Sequence, residues 1–123
     1  MTDSMGIREL SDRTDVSPHA LRYYERAGLM IDVPRDDRGR RAYGDEHVRW
    51  VAFLRRLRDA GMGISQIREY AELVRADGAA SRSRRLEILR AHRDEVRDRL
   101  ARLSEHLEVL DRKVADGCAP DGT

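Results

Sequence analysis

Four side chains of types that bind nucleic acid fall within one short stretch: His19, Arg22, Tyr23 and Arg26. On a helix they share a surface distinct from that of Leu21 and Tyr24. Polar groups near the N-terminus of such a helix meet base edges when it enters the major groove of a duplex, and Arg and Tyr also bond phosphates. A second group, Arg38, Arg40 and Arg41, crowds the residues around Gly39 into a cationic loop. From Pro34 to Arg58 eight arginines stand against Asp36, Asp37, Asp45 and Glu46, a local excess of four positive charges. The 123-residue chain as a whole carries only +1, so distribution rather than net charge has to carry the argument. A run of this kind also suits a plain solvated helix face. Almost every basic residue is arginine, Lys113 being the one lysine.

Other chemistry finds little footing. There is no Gly-rich phosphate loop after a strand, no nucleophile elbow, and no Cys/His spacing suited to a metal. His19, His47, His92 and His106 are scattered and read as solvated helix residues. No enzyme activity, metal or cofactor is expected. One cysteine, Cys118, excludes an intrachain disulfide, and no apolar stretch or leader pattern suggests membrane or export. The chain reads as cytoplasmic and nucleoid-associated.

The elements that position these residues are legible in turn. Ile7, Leu10 and then Val16 mark a short amphipathic helix over Met5 to Thr14. Asp15 tolerates a left-handed turn, Ser17 is a good N-cap and Pro18 suits the first helical position, so a second helix runs from Pro18 to about Ala27, closed by Gly28. Two short helices about a tight turn form a helix-turn-helix. Leu29 to Tyr43 reads as two extended arms around a charged turn with Gly39 at its tip, a β-hairpin wing. A third helix begins near Asp45, carries Val48, Val51, Leu54 and Leu57 on one face, and ends at Gly61. Gly63 then opens a fourth, through Ile67, Tyr70, Leu73 and Val74 to Gly78.

The last segment has the cleanest period. Leu86, Leu89, Arg93, Val96, Leu100, Leu103, Leu107, Leu110 and Val114 alternate at spacings of three and four, a coiled-coil seam apolar everywhere but Arg93. A stripe this narrow suits a partner helix better than the helix's own domain. With no second long helix in the chain, the partner is a second copy. The predicted organisation is mainly α: a winged helix-turn-helix over 1–78, a dimerising helix over 79–115 and a tail over 116–123.

At Ile7-Arg8-Glu9-Leu10 and Val16-Ser17-Pro18-His19-Ala20-Leu21-Arg22-Tyr23-Tyr24-Glu25-Arg26-Ala27-Gly28-Leu29 the sequence strongly resembles MerR-type transcription regulators. The likeness continues through Arg41-Ala42-Tyr43, Leu57 to Gly61, Ile64 to Glu69 and the long helix. It implies a homodimer whose long helices pair antiparallel and which binds double-stranded promoter DNA between the two promoter elements. Bending and untwisting an overlong spacer there serves RNA polymerase indirectly, through indirect readout. By the same resemblance Ser17, His19, Arg22 and Tyr23 are recognition-helix contacts, and Arg38, Arg40, Arg41 and Tyr43 are wing contacts, with Tyr24 left between DNA and core. Asp15 stands where the family commonly has glycine, and Arg40 where a wing tyrosine is frequent. No dedicated effector domain is expected after the coiled coil, and the resemblance names no effector. Cys118 lies where related metal sensors carry a binding loop. One thiol per chain supplies too few ligands for a closed zinc site, so a sensing role there implies oxidation or alkylation.

Two rivals stand beside this reading. An architectural, chromosome-organising protein would use the same fold on many dispersed sites. A coiled-coil adaptor without DNA binding conflicts with the intact Arg22-Tyr23-Tyr24 and the arginine-rich wing.

Overall fold

A computed structural model describes residues 4–118 and 120. Five helices follow in order: α1 (Ile7–Thr14), α2 (Pro18–Arg26), α3 (Asp45–Asp59), α4 (Ile64–Ala76) and α5 (Ala79–Ala115). Extended pairing among the described residues is limited to two antiparallel bridges, Met5 with Tyr43 and Arg35 with Arg41.

Local chemistry accounts for the boundaries. α1 begins at Ile7 rather than Met5, because Met5 exchanges both backbone hydrogen bonds with Tyr43, each at 2.9 Å. It ends at Asp15, which takes the left-handed conformation at φ 58° and returns its N–H to the Ser11 carbonyl. α2 is capped by Ser17, whose hydroxyl accepts from the Ala20 N–H at 3.1 Å, with Pro18 in the first turn. At its end Gly28 adopts φ +77°. The Leu29 N–H then reaches the Tyr24 carbonyl and the Gly28 N–H that of Glu25, the paired bonds of a Schellman end.

The wing is shorter than the predicted Leu29–Tyr43 hairpin. Leu29 and Met30 are buried, and the Leu29 carbonyl accepts from the Trp50 indole at 2.8 Å. They belong to the core connection, and the paired arms run only from Pro34 to Ala42. At the tip the Asp36 N–H bonds the Arg40 carbonyl, while the Asp36 carboxylate accepts from the N–H groups of Arg38 and Arg40, each at 2.9 Å. A side chain therefore stands in for ladder bonds across a turn too tight for a regular strand pair.

Leu10, Leu21, Leu29, Tyr43, Val51, Leu54 and Ile67 have no exposed surface and form the core of the first unit. Trp50 of α3 stacks on Tyr70 of α4 with centroids 5.9 Å apart, and Phe53 tilts against both. This compact unit runs through Ile88, and a second begins at Leu89. The first residues of α5, expected in the dimerising element, thus pack with the first unit. Ser81 and Ile88 are buried, and the Ser81 hydroxyl donates to the Leu73 carbonyl. The second unit is one helix carrying an apolar stripe open to solvent: Leu100, Leu103, Leu107 and Leu110 are 57–63 % exposed.

Candidate nucleic-acid interface

α2 presents one face inward and one outward, as its 3.6-residue period requires. Leu21 and Tyr24 are buried, whereas His19, Arg22, Tyr23 and Arg26 are exposed. Tyr24 is thereby a core residue, its ring edge-on to Tyr23 at 6.2 Å. Ser17 is exposed at the head of the helix with its hydroxyl engaged as the cap. Among the expected recognition residues, Ser17, His19, Arg22 and Tyr23 share one end and one accessible side of α2.

The wing stands beside this face. Arg38 and Arg40 are exposed at its tip, and Arg40 lies 3.6 Å from the Asp36 carboxylate. Hydrogen bonds to that carboxylate, led by the Arg40 N–H, hold the Asp36 pKa below its ordinary value. Arg35 donates to the Gly39 carbonyl at 2.8 Å, bracing the turn. Arg41 is committed differently: its guanidinium donates to the Glu25 carboxylate, which raises its pKa further.

Tyr43 departs from expectation. It has no exposed surface, and its hydroxyl donates to the same Glu25 carboxylate. Burial first and the neighbouring carboxylate second push its pKa well above the ordinary tyrosine value. Tyr43 is therefore held beneath the wing by Glu25, at the border of the groove between α2 and the wing. Between α2 and the wing lies an open groove of about 670 Å³, bordered by Arg22, Arg26, Arg35, Arg40 and Arg41 with Glu25 as its one acidic wall.

Arg55 within the charged stretch, and Arg68 and Arg75 beyond it, have structural roles that the residue count could not reveal. Arg55 donates to the Thr14 carbonyl at 2.8 Å, Arg68 to that of Ala27 at 2.7 Å, and Arg75 to those of Gly28 and Met30. Each satisfies carbonyls at or just past a helix end, where the macrodipole also favours a cation. The partners are separated by 41 residues or more, so no local pattern marks them.

The histidines also divide. His19 and His106 are exposed, but His47 and His92 are buried, against the expectation of four solvated rings. His47 accepts the Gly44 N–H at Nδ1 and donates from Nε2 to the Asp32 carbonyl at 2.8 Å, joining the start of α3 to the approach to the wing. Neither His92 ring nitrogen has a partner.

Along α5 the predicted seam is exposed at Leu86, Arg93, Leu100, Leu103, Leu107, Leu110 and Val114, and half-buried at Leu89 and Val96. Arg93 is paired with Asp94. Beyond the helix Cys118 is exposed, with its N–H bonded to the Lys113 carbonyl. Among the described residues no three His, Cys, Asp or Glu side chains gather as a metal site, and no helix is long and apolar enough to cross a membrane.

Comparison with known proteins adds a consistent set of relatives. Residues 5–73 match the family described as MerR HTH family regulatory protein, and residues 48–113 match that described as MerR, DNA binding. The HTH-type transcriptional regulator HmrR of Sinorhizobium medicae is 34 % identical over 118 residues, covering 96 % of this chain and 79 % of that protein. The chain spans 49–77 % of the length of three other curated relatives. Among solved structures, a MerR family regulator from Listeria monocytogenes superposes with a TM-score of 0.83 at 37 % identity, over 90 % of this chain and 83 % of that one. HiNmlR, described as a MerR family regulator lacking the sensor domain and bound to promoter DNA, gives 0.80 at 28 % identity, over 94 % and 89 %.

Proposed function

The chain belongs to the MerR family of helix-turn-helix regulatory proteins, and on that premise we propose that it acts as a homodimer on a promoter spacer, distorting the DNA to control RNA polymerase. It is a DNA-binding transcription regulator. The observation that carries the finer reading is the single cationic surface made by the outer face of α2 and the tip of the wing. The recognition helix reads base edges while the wing arginines hold the phosphate backbone. Pairing of the α5 seams through a second copy supplies two such heads. Two heads gripping one spacer draw their contact energy from phosphate neutralisation, which offsets a bending cost of roughly 1–6 kcal/mol.

The test is to recover and sequence the DNA that co-purifies with the full chain, then to footprint the enriched fragments. Protection confined to a promoter spacer, with hypersensitive positions at its centre, is the expected result. Many dispersed sites without a shared promoter position would instead establish the architectural role.

A further inference from the structure

Glu25 is the one acidic wall of an otherwise cationic groove, and contact with DNA does not account for it. Its side chain is only 12 % exposed and accepts two hydrogen bonds, from the Arg41 guanidinium and from the Tyr43 hydroxyl. Both donors are themselves fixed. Arg41 is paired with Arg35 across the wing, and Tyr43 is bonded through both backbone groups to Met5. Glu25 lies in the last turn of α2, and its own carbonyl accepts one of the two Schellman bonds. One carboxylate therefore ties the recognition helix to the returning arm of the wing, whose two backbone bridges run to Met5 and Arg35 and not to α2.

The electrostatics run the other way from affinity. A phosphate entering the groove meets Arg22, Arg26, Arg35 and Arg40, together with an Arg41 whose charge Glu25 largely balances. Sequence-independent binding grows with every cation free to displace counterions. A carboxylate there lowers that background, while the fixed angle between wing and helix is retained for the duplex that fits both.

We propose that Glu25 is a specificity-determining positioning residue, which clasps the wing to the recognition helix through Arg41 and Tyr43 and suppresses indiscriminate phosphate binding in the groove. The proposal rests on the DNA-binding reading above. It contacts neither base nor phosphate in this role and acts through the two residues that it holds.

Random-sequence duplexes are first enriched on the full-length parent protein, and the enriched duplex and a scrambled duplex of equal length are used as probes. Both are titrated across salt with the parent, Glu25→Gln, Glu25→Ala and Tyr43→Phe, and backbone protection is mapped by hydroxyl-radical cleavage. Both Glu25 variants should bind the scrambled duplex roughly threefold tighter or more at low salt, with a salt slope steeper by about one. Glu25→Gln, whose amide oxygen still accepts from Tyr43, should keep protection beneath the wing. Glu25→Ala should lose that protection while keeping protection beneath α2, and Tyr43→Phe should lose part of it with less gain on the scrambled duplex. A merely structural role would not separate the two footprints. Scrambled-duplex affinity equal to the parent's in Glu25→Gln overturns the proposal, as does full wing protection in both Glu25→Ala and Tyr43→Phe. If Glu25→Ala fails to fold, the other two variants decide by the same criteria. A parent that enriches no sequence instead overturns the reading of sequence-specific DNA binding, and the proposal falls with it.

Discussion

Arg22 and Asp15 show how differently single residues bear on this molecule. Arg22 is exposed on the outer face of α2 and supports nothing in the core. Arg22→Ala should therefore weaken binding to the enriched duplex by about 1–3 kcal/mol and reduce the salt slope by about one, with an unchanged melting temperature. Parent-like binding at matched salt would remove α2 from the major groove. Asp15 holds φ 58° between the two helices of the reading head, a conformation that glycine reaches without a Cβ penalty. Asp15→Gly should leave the turn intact and raise stability by roughly 0.5–1 kcal/mol, whereas Asp15→Val should lower it, both read from denaturant midpoints. Tyr43 adds a pH signature. Its folded pKa lies above the unfolded value of about 10, so the stabilisation it gives is complete below about pH 10 and fades as pH rises past that point. Tyr43→Phe should flatten this alkaline loss in a melting series. The outward placing of Arg22 and the left-handed turn at Asp15 were legible from residue type and spacing. The placing of Tyr43 was not, because its partners Met5 and Glu25 are brought to it only by the fold.

At the scale of elements, the helices were largely written in their ends. Ser17-Pro18, Gly28, Gly63 and the breaks before Asp45 and Ala79 fixed the starts and stops of α2 to α5 to within a residue or two, since caps act locally. The wing was placed correctly but drawn too long. Its outer arm begins with Leu29 and Met30, which have the apolar character of a strand but are claimed by the core through Trp50. α5 was read as a single seam, yet off that seam it also buries Ser81, Ile88 and His92, which the heptad count passes over. The two surfaces should separate experimentally. Ile88→Ala should destabilise the first unit by about 2–4 kcal/mol through lost burial and a residual cavity. Leu100→Ala, at a side chain 62 % exposed, should leave that unit's stability unchanged and loosen only association. Equal losses at both sites in a chemical-denaturation series would show that the seam is not a distinct surface.

For the whole molecule, an apolar stripe of four exposed leucines on one helix is a large uncovered surface for a chain of this size. A second copy covers it in the manner of a coiled coil. The melting temperature of the helix should then rise with protein concentration, as linkage requires. Leu100→Asp, which sets a charge in the middle of that seam, should abolish the dependence and sediment as monomer. A fully dimeric Leu100→Asp would move the interface elsewhere. The guanidinium groups that close the helix ends have a different consequence. Arg55, Arg68 and Arg75 hold the backbone of the reading head through guanidinium groups, which offer no primary amine. The only lysine lies far along α5, at position 113. Acylation of side-chain amines, a common means of loosening a protein from DNA, has no handle anywhere in the unit that ends at Ile88. Reagents that cross-link through lysine should for the same reason capture this head on DNA poorly, so that occupancy measured that way would fall short of occupancy measured by footprinting.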